Sequence, residues 1–129
     1  MKVIQELVAY FDRRELLSKR QVRQLIEKGY LAAEAPPNML ELSSTIGASY
    51  YFRVHGEIDG PLWGTDIYTG DSSLAAAAVH AGLVEAGEAA ILKVNVVAPL
   101  TNYKGSVRNG VISHDFGRYG SAYTLMAIL

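Results

Sequence analysis

The chain has no cysteine among its 129 residues. That excludes disulfides, thiolate metal sites and thiol nucleophiles together. It is also poor in net charge: 12 basic against 13 acidic residues leave −1. No global field therefore draws it to nucleic acid or to an anionic membrane. No run approaches the roughly 20 apolar residues of a membrane span. The opening Met1-Lys2-Val3-Ile4-Gln5-Glu6-Leu7 is soon followed by Asp12, Arg13, Arg14 and Glu15. It lacks the unbroken apolar core of a signal peptide. The expectation is a cytoplasmic chain, or part of an assembly exported without a signal. Gly-x-Ser-x-Gly, P-loop and His-Glu-x-x-His patterns are missing too. No enzyme, cofactor or metal site is expected.

What remains is globular in composition, half apolar and 19% charged. A chain of this length buries roughly two-thirds of its unfolded surface and can hold a core without staples. The most informative stretch runs from Trp63 to Gly82. A polar turn leads into Leu74-Ala75-Ala76-Ala77-Ala78-Val79-His80-Ala81. This predicts a helix of about ten residues with almost no polar face, so it must be enclosed. Asp71 or Ser72 is expected to cap its start, and Gly82 to end it in the left-handed region.

Residues 1–34 differ from the rest. Val3, Ile4, Leu7, Val8 and Phe11 recur at helical spacing. A second helix follows Ser18, with Val22, Leu25 and Ile26 as its apolar stripe and Gly29 as its stop. The segment reads as a helical hairpin with seven basic and five acidic residues. Ala35-Pro36-Pro37-Asn38 is read as a linker, because two prolines remove backbone donors. Residues 39–129 then form the main domain. Strands are expected at Ser49–Val54, where aromatic and β-branched residues cluster, and at Ala90–Val97, where apolar residues alternate. Short strands at 103–107 and 111–113 flank Asn109-Gly110, the strongest hairpin signal in the chain. An apolar strand over 122–129 closes the fold, interior to a sheet. The class is α+β.

Several of these blocks stand in a familiar order. Trp63-Gly64-Thr65-Asp66-Ile67-Tyr68-Thr69, Asp71-Ser72-Ser73 and Ala77-Ala78-Val79-His80-Ala81-Gly82 are followed by Tyr103-Lys104-Gly105-Ser106, Arg108-Asn109-Gly110-Val111-Ile112-Ser113 and Gly120-Ser121-Ala122-Tyr123. Together they resemble the LCCL domain over about residues 50–127. The resemblance implies a central helix wrapped by β-sheets and a non-catalytic extracellular module. In the animal members such a module is associated with lipopolysaccharide or other ligands. Familiar members carry disulfide cysteines, one of them in the helix where this chain has Ala75. The chain therefore looks like a cysteine-free bacterial form. The N-terminal hairpin lies outside the resemblance.

Each candidate site has a functional and a structural reading. Trp63, Tyr68 and Tyr103 offer aromatic faces for a sugar, with Asp66, Arg108 and Asn109 to orient hydroxyls; the structural reading is core aromatics and a tight turn. Asp66 and Asp71 flank Tyr68 and Thr69 and would suit acid–base work or a cation, yet no third ligand has a diagnostic spacing. Asp71, Ser72, His80 and Gly82 are read as structural. Ser72 or Ser73 with His80 does not make a nucleophile–base pair, since two helical turns separate them by ~10–12 Å. In the hairpin, Phe11, Arg20, Arg23 and Ile26 are candidate partner contacts. The stretch from Ser18 to Leu31 is loosely similar to half a helix-turn-helix, which leaves DNA contact as a lesser alternative. A glycan- or lipopolysaccharide-binding module and an adaptor docking through residues 1–34 are the two leading readings, and self-association through the hairpin is a third use of the same segment.

Overall fold

The structure, a computed structural model, describes residues 32–128 without a break, together with Arg20, Gln21, Gln24, Leu25 and Lys28. The hairpin expected over 1–34 otherwise lies outside the described residues. So do Phe11, Arg23 and Ile26; Arg20 is exposed.

Eight strands and one helix make up residues 32–128: β1 (Ala33–Glu34), β2 (Ser49–His55), β3 (Gly64–Thr65), β4 (Ile67–Thr69), the helix (Leu74–His80), β5 (Ala89–Val97), β6 (Val107–Arg108), β7 (Val111–Ile112) and β8 (Ala122–Ala127). Six strands form one sheet in the order β1-β2-β5-β8-β4-β3, and β6 pairs with β7 alone. Only β1 runs parallel to its neighbour. This is an α+β fold.

Register follows from alternation. Tyr50, Phe52 and Val54 oppose Val94, Leu92 and Ala90 across β2–β5, and Val94 and Val96 oppose Leu125 and Tyr123 across β5–β8. The inward residues of neighbouring strands therefore share one face, and a slip by one residue would turn them all to water. The strand at the chain's end is interior to the sheet, held by β5 on one side and β4 on the other. It spans Ala122–Ala127 rather than 122–129.

The helix packs against β2 and against both strands of the small β6–β7 hairpin. Six of its seven residues are buried, Ala75 being partly so. Its alanines let the neighbouring backbones come close. Two expectations are corrected here. The helix has seven residues, not about ten, and its cap is Ser73, whose Oγ accepts the Ala76 amide at 3.1 Å. Ser72 does not cap because its hydroxyl receives the Trp63 amide at 3.0 Å and meets Thr69 Oγ1 at 2.8 Å. At the other end Gly82 takes φ 79°, and the amides of Gly82 and Leu83 return to the carbonyls of Val79 and Ala78. Those bonds satisfy carbonyls that the last turn would otherwise leave open.

Three further differences come from short elements. Ala33–Glu34, placed by the sequence at the end of the hairpin, is an edge strand of the main sheet, and Ala35 N–H also bonds Arg53 O at 3.0 Å. The Trp63–Ser73 turn holds a hairpin, β3–β4, with Asp66 alone at its tip at φ 68°. Gly64 makes that tip feasible: a Cβ there would lie 2.2 Å from the Ile67 carbonyl oxygen. The strands beside Asn109-Gly110 have two residues each. Upstream, Gly105 passes so close to Ser113 O that no side chain fits, and the chain crosses there without forming a ladder.

Candidate functional site

Two hairpin tips and the end of the helix converge on one corner. β4 carries Tyr68 beneath the last helical turn, where its hydroxyl lies 2.9 Å from His80 Nδ1. On the ring's other side Nε2 lies 3.1 Å from the Ser106 carbonyl and 3.1 Å from Ser106 Oγ. A carbonyl only accepts, so Nε2 carries the proton and Nδ1 accepts from Tyr68. Ser106 Oγ meets Thr65 Oγ1 at 2.6 Å, and Thr65 donates to Lys104 O at 2.9 Å. The donors thus run one way, from Tyr68 through His80, Ser106 and Thr65 to a backbone carbonyl. Burial lowers the pKa of His80 most; Arg108 lowers it further, while the Ser106 backbone bond and Asp66 raise it. Burial also pushes the Tyr68 hydroxyl up to about 12. This neutral imidazole joins three chain segments inside the fold, so His80 acts as a clamp.

Above the clamp, Arg108 donates to Asp66 Oδ1 at 2.8 Å, and Asn109 Nδ2 donates to His80 O at 3.1 Å. The ion pair is open to water, with side chains 44% and 67% exposed, so its worth is small. It nonetheless ties the β3–β4 tip to the β6–β7 tip. Asn109 sits at φ 53° and Gly110 at φ 79°, the backbone of a two-residue hairpin turn.

The aromatic part of the expected surface is redistributed. Tyr68 and Tyr103 are fully buried and offer no face to a ligand. Tyr103 is a core strut: its oxygen receives the Leu100 amide at 2.9 Å and donates to Tyr119 O at 3.2 Å. Trp63 is half-buried and meets Phe116 edge-on at 6.3 Å between centroids, and Phe116 meets Tyr119 in the same way at 5.8 Å. Phe116 is 42% exposed. Burial raises the pKa of the Tyr119 hydroxyl, and the nearby Asp71 carboxylate raises it further. Asp71 Oδ1 has no partner among the described residues.

Phe116 and Tyr119 escaped the sequence reading. Their signal lay in Asp115-Phe116-Gly117-Arg118-Tyr119-Gly120, where large aromatics alternate with loop formers and no periodicity sends them to a core. Exposed Lys104, His114 and Arg118 neighbour the row in sequence or pairing, and the Asp115 carboxylate there receives the Gly105 amide at 2.7 Å. Among the described residues no three His, Asp or Glu side chains are placed to hold a metal ion, and no helix is long and apolar enough to cross a membrane.

Residues 40–122, which hold this corner and the aromatic row, match the LCCL domain family model. The chain belongs to the LCCL domain family. It is 39% identical over 70 residues to human "Cysteine-rich secretory protein LCCL domain-containing 2", covering 53% of this chain and 14% of that protein. It is 38% identical over 65 residues to human Vitrin, covering 50% and 9%. A third relative, "Transcriptional regulatory protein rxt3" of Schizosaccharomyces pombe, is 34% identical over 59 residues, covering 43% and 17%. The chain spans less than a fifth of the length of each of these relatives. This LCCL domain holds its helix with hydrogen bonds and packing alone, since it has no cysteine.

Proposed function

We propose that this LCCL domain is a non-catalytic binding module and that its contact surface is the row Trp63, Phe116 and Tyr119. The observation that carries the reading is the row itself, three rings braced edge-to-face at the surface. Apolar surface of that kind, rimmed by polar groups, marks interaction sites. Flat rings on a rigid frame suit the C–H faces of a pyranose, and amphipathic aromatics give contact area at little entropic cost. Asp66 lies three residues beyond Trp63, roughly 10 Å at strand spacing, and Arg108 is paired with it; with Asn109 they would meet the hydroxyls of a neighbouring sugar. The ligand class is a glycan surface, lipopolysaccharide included.

The test is a titration of the folded chain with lipopolysaccharide and with a glycan array, using the wild type and Phe116→Ala. Binding by the wild type that weakens in the variant supports the reading. No binding by either protein counts against it.

A second reading is an adaptor that docks through residues 1–34, by Phe11, Arg20, Arg23 and Ile26. The likeness to a protein named as a transcriptional regulator favours it. A deletion that ends at residue 31 keeps β1 and tests it: association with a partner complex should disappear while the domain stays folded. DNA contact through the same segment would show as a gel shift at low salt.

A further inference from the structure

The chain has four asparagines: Asn38, Asn95, Asn102 and Asn109. Three precede Met39, Val96 and Tyr103, whose side chains crowd the following amide nitrogen. Asn109 alone precedes glycine. A Cβ built on Gly110 meets nothing within 4 Å, and the Gly110 N–H makes no backbone hydrogen bond to a described residue. Both residues are exposed, and Asn109 forms part of the wall of an open cleft of about 670 Å³. The hairpin is only two residues per strand, and its outward pair, Val107 and Ile112, is 69% and 58% exposed. Little packing opposes local opening there.

We propose that Asn109-Gly110 is a modification site: a spontaneous deamidation that releases the hairpin from the helix. The Gly110 nitrogen loses its proton to hydroxide and bonds to Asn109 Cγ. The Cγ–Nδ2 bond breaks as water protonates the nitrogen, so ammonia leaves, hydroxide is regenerated and a five-membered imide closes. Water then opens the imide at either carbonyl and yields aspartate or isoaspartate. No oxidant, reductant or other reactant is needed.

The leaving nitrogen is the one that holds the hairpin. Asn109 Nδ2 donates to His80 O at 3.1 Å, at the last turn of the helix. The product is a carboxylate, which cannot donate. It would face a carbonyl oxygen at the negative end of a helix, so attraction is replaced by repulsion. The isoaspartate form also lengthens the backbone by one carbon in a two-residue turn. Either product loosens β6–β7 from the helix, and with it the seat of Arg108 on Asp66.

The experiment ages the full chain in mildly alkaline buffer and follows it by peptide mass mapping and by an enzymatic assay for isoaspartate. The expected result is a gain of one mass unit at Asn109 before any of the other three asparagines, with isoaspartate present. Asn109→Gly keeps the turn and removes the amide, so its hairpin peptide should gain no mass. Hydrogen exchange reads the consequence: the amides of Val111 and Ser113 should exchange faster in the aged protein and in Asn109→Asp than in the fresh wild type. A mass gain that appears first at another asparagine, or none at Asn109, overturns the site. Unchanged exchange in the aged protein and in Asn109→Asp overturns the release.

Discussion

The Tyr68 hydroxyl donates to His80 Nδ1 across 2.9 Å, inside a corner where both residues are fully buried. That bond fixes the tautomer that His80 presents to Ser106, and so joins β4, the helix and the loop before β6 in one directed chain. The clamp positions the surface above it, where Arg108 and Asn109 reach Asp66 and His80 O.

Removing the imidazole should therefore destabilise the whole domain. His80→Ala leaves the Tyr68 hydroxyl without its buried acceptor and the Ser106 carbonyl without its donor, and opens a cavity. The expected loss is about 2–4 kcal/mol, read as a lower urea midpoint at neutral pH.

Acid should weaken the fold through the same residue. Burial holds the folded imidazole below the ordinary value of 6.5, so the unfolded chain takes up its proton first. Stability is complete above that value and falls as pH drops through it towards the folded value. Urea midpoints of the wild type should fall across this window, and those of His80→Gln should fall less. Glu34 adds a separate, lower window: its bonds to His55 and Arg53 hold its pKa below 4.5. The stability they add is lost as the carboxylate protonates below that value.

The alanine run is close-packed. Ala77 is fully buried, and Ala77→Leu should overpack the helix against its neighbours. The expected cost is roughly 1–3 kcal/mol, measured by denaturation, with Ala77→Ser as a small-residue control.

Backbone geometry makes Gly64 equally intolerant. Gly64→Ala puts a Cβ against Ile67 O at φ 99°, a cost of at least about 1 kcal/mol. The measurable outcome is a lower melting temperature together with loss of the Thr65–Ile67 pairing in amide exchange.

How much of this was legible in the sequence depended on element length. β2, β5 and β8 are long enough for alternation or apolar content to declare them, and the helix declared itself by having no polar face. Asn109-Gly110 marked its turn through residue type alone. β1, β3 and β4 have two or three residues, too few for a period, and rest on Gly64 and on tertiary pairing. The aromatic face was visible as chemistry but not as direction. Tyr68 and Tyr103 have hydroxyls that suit a surface, yet each finds its partner indoors, on His80 and on the Leu100 and Tyr119 backbone. Phe116, with no polar atom, is 42% exposed although its backbone bonds that of Tyr103 in both directions, a pairing with no local pattern to announce it. Ser73 rather than Ser72 capped the helix because Trp63 and Thr69 had already engaged Ser72, a long-range contact that no local pattern encodes.

The most direct test of the binding account is a heteronuclear NMR titration of the full chain with lipopolysaccharide and with the glycans that bind on an array. The account predicts shifts centred on Trp63, Phe116 and Tyr119, reaching Asp66 and Arg108, and their loss in Phe116→Ala while the Tyr68 and His80 signals stay in place. Shifts confined to the N-terminal segment, or no shifts at all in a folded wild-type domain, would contradict it.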